Sequence, residues 1–254
     1  MMRTIDINSD LGEFSDDAHL GSDRQVLRCV TSANIACGFH ASDPLTMTKS
    51  VRMAKEAGAA IGAHPGFPDR ENFGRRAMDM PPEEVRAIML YQIGALQAVC
   101  RAEGTSLTHV KPHGALYNMA AKDEALAEAV ADAVASSDDS LILVGLSGSL
   151  MADAAEAKGL RFAAEVFADR AYEDDGTLVS RSKPGAMIEG ENEAVRRMVR
   201  LMREGVIESI NGKDIPLQAD TICVHGDSPK ALAFASKLRE ALEQDGIAVR
   251  NMIK

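Results

Sequence analysis

Short strand-like runs alternate with helical segments along the whole chain, and this alternation limits the fold more than any other feature. Each run is followed by a helix-start or helix-stop signal; Asp43 before Pro44, for example, predicts a helix that runs to about Ala57 before Gly58. Strands joined in this way form a parallel sheet covered by helices, either a closed barrel or a doubly wound open sheet. The seven predicted strands are residues 3–8, 32–37, 59–63, 107–111, 141–144, 161–166 and 221–224. The pattern also predicts a helix from about Asp23 to Val30, a loop after Lys111, a turn-rich segment around residues 211–214, a last long helix that starts at residues 228–229 and a final short strand at residues 246–250.

The side-chain alternation within the strands separates the two architectures. In the first strand Ile5 and Ile7 share one side, whereas Asp6 and Asn8 share the other. A doubly wound sheet meets helices on both faces and needs apolar residues on both. A barrel whose interior is polar near its mouth fits better. We therefore predict a single β/α-barrel domain over residues 1–254, with seven strands.

Composition limits the class of partner and the compartment. The net charge of −10 and the pI near 5.1 argue against binding to nucleic acid or an anionic membrane, which need basic surfaces. No apolar run approaches the roughly 18 to 20 residues of a membrane span, and the first residues lack a signal-peptide pattern, so a cytoplasmic location is expected. The four cysteines form no CxxC pair and are expected to be buried thiols, with a cysteine nucleophile as the less favoured alternative.

Ionisable residues concentrate where the predicted strands end. Four of the six histidines lie at or just beyond such ends, at the rim where barrel enzymes keep their active sites. His19 is instead expected to be an exposed loop residue and His109 a hydrogen-bonded interior one. The candidate catalytic residues are Asp10, Glu13, His40, His64, Lys111 and His113. The candidate substrate-binding residues are Asn8, Asn34, Arg70, Arg76, Tyr117, Asp169 and His225.

Two kinds of chemistry suit such a rim. Neutral imidazoles and carboxylates can hold a divalent metal ion with an open position, and Asp10, His40 and His64 are the candidate ligands. Alternatively, the carboxylates and histidines act directly as general acid and base. The arginines of residues 70–76 could clamp a carboxylate or a phosphate, or could form a solvated loop.

Four long segments resemble the signature segments of one known family. They are residues 6–13 (DINSDLGE), 32–44 (SANIACGFHASDP), 62–70 (GAHPGFPDR) and 110–118 (VKPHGALYN), and shorter matches follow at 168–172 and 224–227. Together they resemble the LamB/YcsF family over nearly the whole chain. The family commonly has glycine where this chain has Ser42, a small departure.

The resemblance implies a seven-stranded β/α barrel related to the glycoside hydrolase/deacetylase superfamily. It further implies cleavage of 5-oxo-L-proline to L-glutamate coupled to ATP hydrolysis, carried out with two partner subunits, the B and C types of a 5-oxoprolinase. Phosphate-binding loop motifs are absent from the sequence, so ATP is expected at an unfamiliar site or on another subunit. Whether the chain is itself an oligomer stays open.

The implied chemistry can be distributed over the rim. Asp10 or Glu13, with a rim histidine, would direct water at the lactam carbonyl, while Lys111 and His113 would stabilise the oxyanion or protonate the departing nitrogen. Arg70 or Arg76 would hold the carboxylate or an activating phosphate. Replacing Lys111 with methionine is then expected to abolish turnover without unfolding the chain. The alternatives are a metal-dependent deacetylase or amidohydrolase acting on a small or carbohydrate substrate, and a non-catalytic substrate-binding or regulatory subunit.

Overall fold

Seven parallel strands close into a barrel. The computed structural model describes residues 3–224 and 231–253. Each barrel strand pairs with the next, and the last pairs with both the sixth and the first, which closes the ring. The prediction of a seven-stranded β/α barrel is confirmed, and the open doubly wound sheet is excluded. The barrel strands are β1 (Thr4–Leu11), β2 (Ser32–Ala36), β3 (Ala60–His64), β4 (His109–Val110), β5 (Ile142–Leu146), β6 (Arg161–Phe167) and β9 (Thr221–Cys223).

Helices follow the strands along the chain. The predicted start of the second helix is confirmed, because Asp43 Oδ1 accepts the backbone N–H groups of Leu45 and Thr46 at 2.9 and 3.0 Å. Across residues 3–224 and 231–253, no helix has the length and apolar character needed to cross a membrane. The helices are α1 (Asp17–Val26), α2 (Pro44–Ala57), α3 (Pro82–Ala102), α4 (Gly114–Ala120), α5 (Glu124–Ser137), α6 (Leu150–Ala157), α7 (Glu191–Glu204) and α8 (Ala231–Gln244).

Three further elements complete the fold. The antiparallel hairpin of β7 (Val206–Glu208) and β8 (Asp214–Pro216) lies in a segment predicted only to be rich in turns. The short strand β10 (Ala248–Val249) pairs in parallel with the start of β1, in agreement with the final strand predicted there. A 3₁₀ turn at Arg70–Asn72 interrupts the long loop after β3.

Several predicted boundaries are wrong. Helix α1 begins six residues before the predicted Asp23, because Asp16 caps it by accepting the N–H of His19 at 3.0 Å. Strand β4 contains only His109–Val110, although the N–H of Lys111 still donates to the carbonyl of Ala63 at 2.9 Å. Helix α4 occupies the segment predicted to be a loop after Lys111. The predicted start of the last helix, at residues 228–229, lies outside the described residues.

Polar side chains occupy much of the barrel interior, as the alternation in β1 predicts, and the register places Ile142 and Val144 of β5 on the same side. Ile5 and Ile7 are buried in the apolar core. Asp6 points to the other side and accepts the hydroxyls of Ser32 and Thr221 on two neighbouring strands. Burial raises the pKa of Asp6 to about 6 despite these hydrogen bonds. Polar layers of this kind lead up to the carboxyl ends of the strands.

The close contact between Gly62 and His109 gives a test of this interior. A Cβ at Gly62 would lie 2.1 Å from His109 Nε2, and that ring is held by hydrogen bonds to Asn34 and Thr108. Gly62→Ala is therefore expected to lower the free energy of unfolding by about 3 kcal/mol, the upper part of the usual cost of overpacking. Urea denaturation followed by circular dichroism measures this.

A matched control uses the same substitution in open space. A Cβ at Gly94, which is exposed on α3, would meet no atom within 4 Å. Gly94→Ala is expected to raise the free energy of unfolding by up to about 1 kcal/mol through helix propensity. Equal stabilities of the two variants would show that the His109 ring is not fixed as described.

Candidate active site

A cavity of about 890 Å³ opens at the carboxyl ends of the barrel strands. Residues at the ends of five barrel strands line it: Asp10, His64, Lys111, Leu146 and Phe167. This is the rim at which the sequence places the ionisable residues and where β/α barrels carry out chemistry. The rim prediction is therefore confirmed for the strand ends that the structure describes.

Lys111 is the centre of a buried charged cluster at the base of this cavity. Its Nζ lies 2.9 Å from Asp10 Oδ1, 2.8 Å from Glu165 Oε1 and 3.3 Å from Cys223 Sγ. Burial alone would lower the pKa of Lys111, but the carboxylates of Asp10 and Glu165 raise it well above its usual range. Lys111 is therefore an ammonium ion between two carboxylates, and not the solvated lysine that a strand end could also carry.

Asn8 and Asn34 hold this cluster from inside the barrel. Asn34 Nδ2 donates to Asn8 Oδ1 at 2.7 Å and to Asp10 Oδ1 at 2.8 Å. His109 Nε2 donates to Asn34 Oδ1 at 2.8 Å, and burial lowers the pKa of His109 to about 3, so its ring is neutral. Neither asparagine is among the residues that line the cavity, and the contact of both with the substrate stays a prediction. The interior role predicted for His109 is confirmed.

A second cluster, formed by Glu13, His40, His64 and His113, adjoins the first. One ligand atom from each residue lies within 4.8 Å of the others. The rings of His40 and His113 stack in parallel with centroids 3.7 Å apart, and the ring of His64 is perpendicular to both. His64 Nε2 also lies 3.3 Å from Asp10 Oδ2, which links the two clusters.

Burial sets the charge states in this second cluster. It lowers the pKa of His113 to about 2 and that of His40 well below its usual range, so both rings are neutral. Burial and the neighbouring Asp10 carboxylate raise the pKa of Glu13. The predicted catalytic residues are thus brought together in one continuous group. The predicted metal-binding residues were Asp10, His40 and His64. The group whose ligand atoms lie within 4.8 Å of one another contains Glu13 and His113 with the two histidines, and does not contain Asp10.

Glycines let two loops pack directly on the histidines. A Cβ at Gly66 would lie 2.8 Å from His40 Nδ1, and one at Gly74 would lie 2.8 Å from His40 Cβ and 3.0 Å from His113 Cδ2. Gly114 has a φ of 55°, and a Cβ there would lie 2.6 Å from the carbonyl oxygen of Gly74. Larger side chains at these positions would separate the loop after β3 from the start of α4.

The arginines predicted to bind the substrate do not line the cavity. Arg70 donates to the carbonyls of Gly38 and Ser42 at 2.7 and 2.6 Å and so holds the loop before α2. Arg76 is exposed. Arg75 lines the cavity instead, with its guanidinium carbon 4.9 Å from the centre of the Phe73 ring. The substrate contacts of Arg70 and Arg76 stay a prediction.

The remaining predicted residues have mixed outcomes. Tyr117 lines the cavity, and burial together with the nearby Glu165 carboxylate raises its pKa well above its usual range. Asp169 is partly buried and contributes no surface to the cavity lining. His225 lies outside the described residues. His19 is exposed as predicted, although it belongs to α1 and not to a loop.

Two residues of the Lys111 cluster are absent from the predicted site residues, although the sequence places Glu165 at the strand-end rim. Glu165 is completely buried, and its signal was a single acidic residue on the interior side of an otherwise apolar strand end. Cys223 received only a minor reservation; burial raises the pKa of its thiol well above the usual range. A neutral, buried thiol is a poor nucleophile, which argues against the cysteine alternative.

The fold and the cavity define a β/α-barrel protein with a polar, enzyme-like site at the strand ends. The chain belongs to the LamB/YcsF family, whose model matches residues 5–254. The resemblance seen in the sequence segments is thereby confirmed. A fold relationship also extends to a putative cellobiose-phosphate cleavage protein from Enterococcus faecalis, with a TM-score of 0.58 at 15% identity over 99% of this chain and 98% of that one.

Relatives with named functions match over nearly their whole length. The A subunit of 5-oxoprolinase from Clostridium beijerinckii is 53% identical over 98% of this chain and 97% of its own, and that of Geobacillus kaustophilus is 55% identical over the same shares. The crystal structure of the lactam utilization protein from Thermus thermophilus has a TM-score of 0.90 and 48% identity, and covers 97% of this chain and 99% of that one.

Proposed function

We propose that this chain is the A-type subunit of an ATP-dependent 5-oxoprolinase. In this proposal it cleaves the lactam of 5-oxo-L-proline to L-glutamate, together with B-type and C-type partner subunits and with ATP as the co-substrate. The names of the relatives at 53–55% identity support the reaction and the assembly. The observation that carries the proposal is the buried ammonium ion of Lys111, held between Asp10 and Glu165 at the base of the cavity.

The cavity lining suits an anionic substrate. Although the whole chain carries a net charge of −10, four exposed cationic side chains are among those that line the cavity, and one of them, Lys183, is paired with Glu173 in the same lining. Guanidinium and ammonium groups bind carboxylates and phosphates, which are the charged groups of 5-oxoproline and of ATP. The volume of about 890 Å³ exceeds that of a pyrrolidone ring and leaves room for phosphate groups. The four cationic residues are Arg75, Lys122, Arg181 and Lys183.

The Lys111 cluster supplies the groups that lactam cleavage needs. Asp10 Oδ2 accepts a proton from the attacking water as the hydroxide adds to the carbonyl carbon. The charge of Lys111 stabilises the oxygen that becomes negative, in a buried site where such an interaction is strong. The C–N bond then breaks, and the proton held by Asp10 passes to the departing ring nitrogen. ATP would supply the phosphoryl group that activates the carbonyl oxygen and would leave as ADP, and a second water would release that group as phosphate once the C–N bond has broken. We assign the binding of ATP to the assembled complex.

The direct test measures glutamate and ADP released from 5-oxoproline and ATP. The chain alone, its partner subunits alone and the mixture are compared, with proline, which has no lactam carbonyl, as the control substrate. Glutamate is expected only from the mixture and only with 5-oxoproline. Absence of glutamate from a mixture whose subunits are folded and associated would contradict the proposal and favour a metal-dependent hydrolase acting on another amide.

A further inference from the structure

Two histidines direct their lone pairs at one another. His64 Nδ1 lies 2.7 Å from the backbone carbonyl oxygen of Lys111, and His113 Nε2 lies 2.9 Å from that of Phe73. A carbonyl oxygen only accepts, so each of these nitrogens carries the hydrogen of its ring. The other two nitrogens, His64 Nε2 and His113 Nδ1, therefore bear lone pairs, yet they lie only 2.9 Å apart.

This contact is repulsive unless a positive charge lies beside it. Both rings are buried, with His64 1% and His113 5% exposed, where an unfavourable polar contact is costly. A carboxylate is already present, since Glu13 Oε1 lies 3.5 Å from His113 Nδ1 and has no hydrogen-bond partner among the described residues. Two lone pairs and a carboxylate oxygen thus converge with no cation to bind.

His40 adds an independent observation on the same spot. Its side chain is fully buried, and neither ring nitrogen has a hydrogen-bond partner in the described part of the chain. Its Nε2 lies 3.5 Å from the same Glu13 oxygen. An unpaired buried imidazole is unfavourable, so this side chain also points to a missing charged partner. His40 is absent from the cavity lining, whereas Glu13, His64 and His113 belong to it.

We propose that Glu13, His64 and His113 bind one divalent transition-metal ion, of which zinc is the representative, with an open position facing the cavity. Two imidazoles and one carboxylate form a ligand set found in catalytic metal sites. Ligands at about 2.0–2.1 Å in tetrahedral geometry lie about 3.3 Å apart, between the 2.9 Å that separates His64 Nε2 from His113 Nδ1 and the 3.5 Å that separates Glu13 Oε1 from His113 Nδ1. The carbonyls of Lys111 and Phe73 are the outer partners that fix each ring for coordination. His40 Nε2, 3.5 Å from the same Glu13 oxygen, lies within reach of this ion as a further ligand.

This inference does not depend on the lactam-cleaving function, so its test measures binding alone. The chain without an affinity tag is stripped with a chelator and titrated with Zn²⁺ by calorimetry and with Co²⁺ by visible absorption spectroscopy. One ion per chain is expected, with Co²⁺ bands typical of a four- or five-coordinate site with nitrogen and oxygen ligands. Less than one tenth of an ion per chain, in folded protein, would overturn the proposal.

Variants assign the ion to these ligands. Glu13→Gln keeps the shape of the side chain and removes the charge, so the fold is expected to persist. Its affinity should fall by more than about 100-fold, because losing a direct ligand costs more than the 10- to 100-fold typical of an outer partner. His19→Ala, which changes an exposed histidine that also lines the cavity, is the matched control and should bind as the wild type does. Unchanged affinity in Glu13→Gln would overturn the assignment.

Discussion

Replacing Lys111 with methionine is expected to reduce glutamate production by about 10³-fold and to lower the free energy of unfolding by about 3–5 kcal/mol. The loss of activity follows from the loss of the charge beside the reacting carbonyl. The loss of stability follows from the environment of Lys111, whose side chain is 3% exposed between the carboxylates of Asp10 and Glu165. Methionine fills the space but leaves Glu165, which is 0% exposed, without its cation.

The sequence alone predicts that Lys111→Met is inactive but folded. The structure adds an expected loss of stability. The sequence does not predict this loss, because a lysine at a strand end can be solvated. The sequence places Glu165 at the same rim but shows neither its pairing with Lys111 nor the depth of the site. Activity and stability can still be separated with a double variant. Lys111→Met combined with Glu165→Gln removes the buried unpaired carboxylate. In the wild type Asn8 Nδ2 donates to Glu165 Oε1 at 3.0 Å, and the amide oxygen of the new glutamine can accept the same hydrogen bond.

The double variant is therefore expected to recover most of the lost stability and none of the lost activity. Glutamate release in the presence of the partner subunits and urea denaturation measure the two quantities. Full activity of Lys111→Met would remove Lys111 from the reaction. Equal stabilities of the single and double variants would show that Glu165 does not depend on Lys111 for its charge partner.

The fold could be predicted from the sequence because its determinants are local. The alternation of Ile5 and Ile7 with Asp6 and Asn8 depends only on the geometry of an extended chain, and it separates a barrel interior from a helix-covered exterior. The cap at Asp43 depends on the three following residues. Such features survive in any surroundings, so the seven strands and most of the helices were found.

The composition of the site could be predicted only in part because it depends on long-range packing. His40 and His113 stack in parallel only because the glycine-rich loop between them folds back on the start of α4. The same loop directs Arg75 into the cavity, whereas Arg70 binds backbone carbonyls and Arg76 is exposed. Three arginines within seven residues look alike in a sequence. Their separation depends on backbone contacts that no local pattern records.

Asp10→Asn is expected to lower kcat/KM for 5-oxoproline by about 10³-fold, within the range for loss of a general base, with little change in stability. The hydrogen bonds can be kept, because the amide oxygen can accept from Lys111 and Asn34 as Asp10 Oδ1 does at 2.9 and 2.8 Å. The amide nitrogen then replaces Oδ2, which lies 3.3 Å from His64 Nε2. The substitution thus removes the charge and the basic oxygen and little else.

The control is the same substitution at Asp132, a surface carboxylate paired with Arg86 and Lys158. Asp132→Asn also removes a charge from an ion pair, but it does so outside the cavity lining, so kcat/KM should stay unchanged. A purely structural role for Asp10 would lower the unfolding midpoint together with the activity. Retention of more than about one tenth of the activity by Asp10→Asn would exclude Asp10 as the base, and Glu13 would then be the carboxylate that activates water.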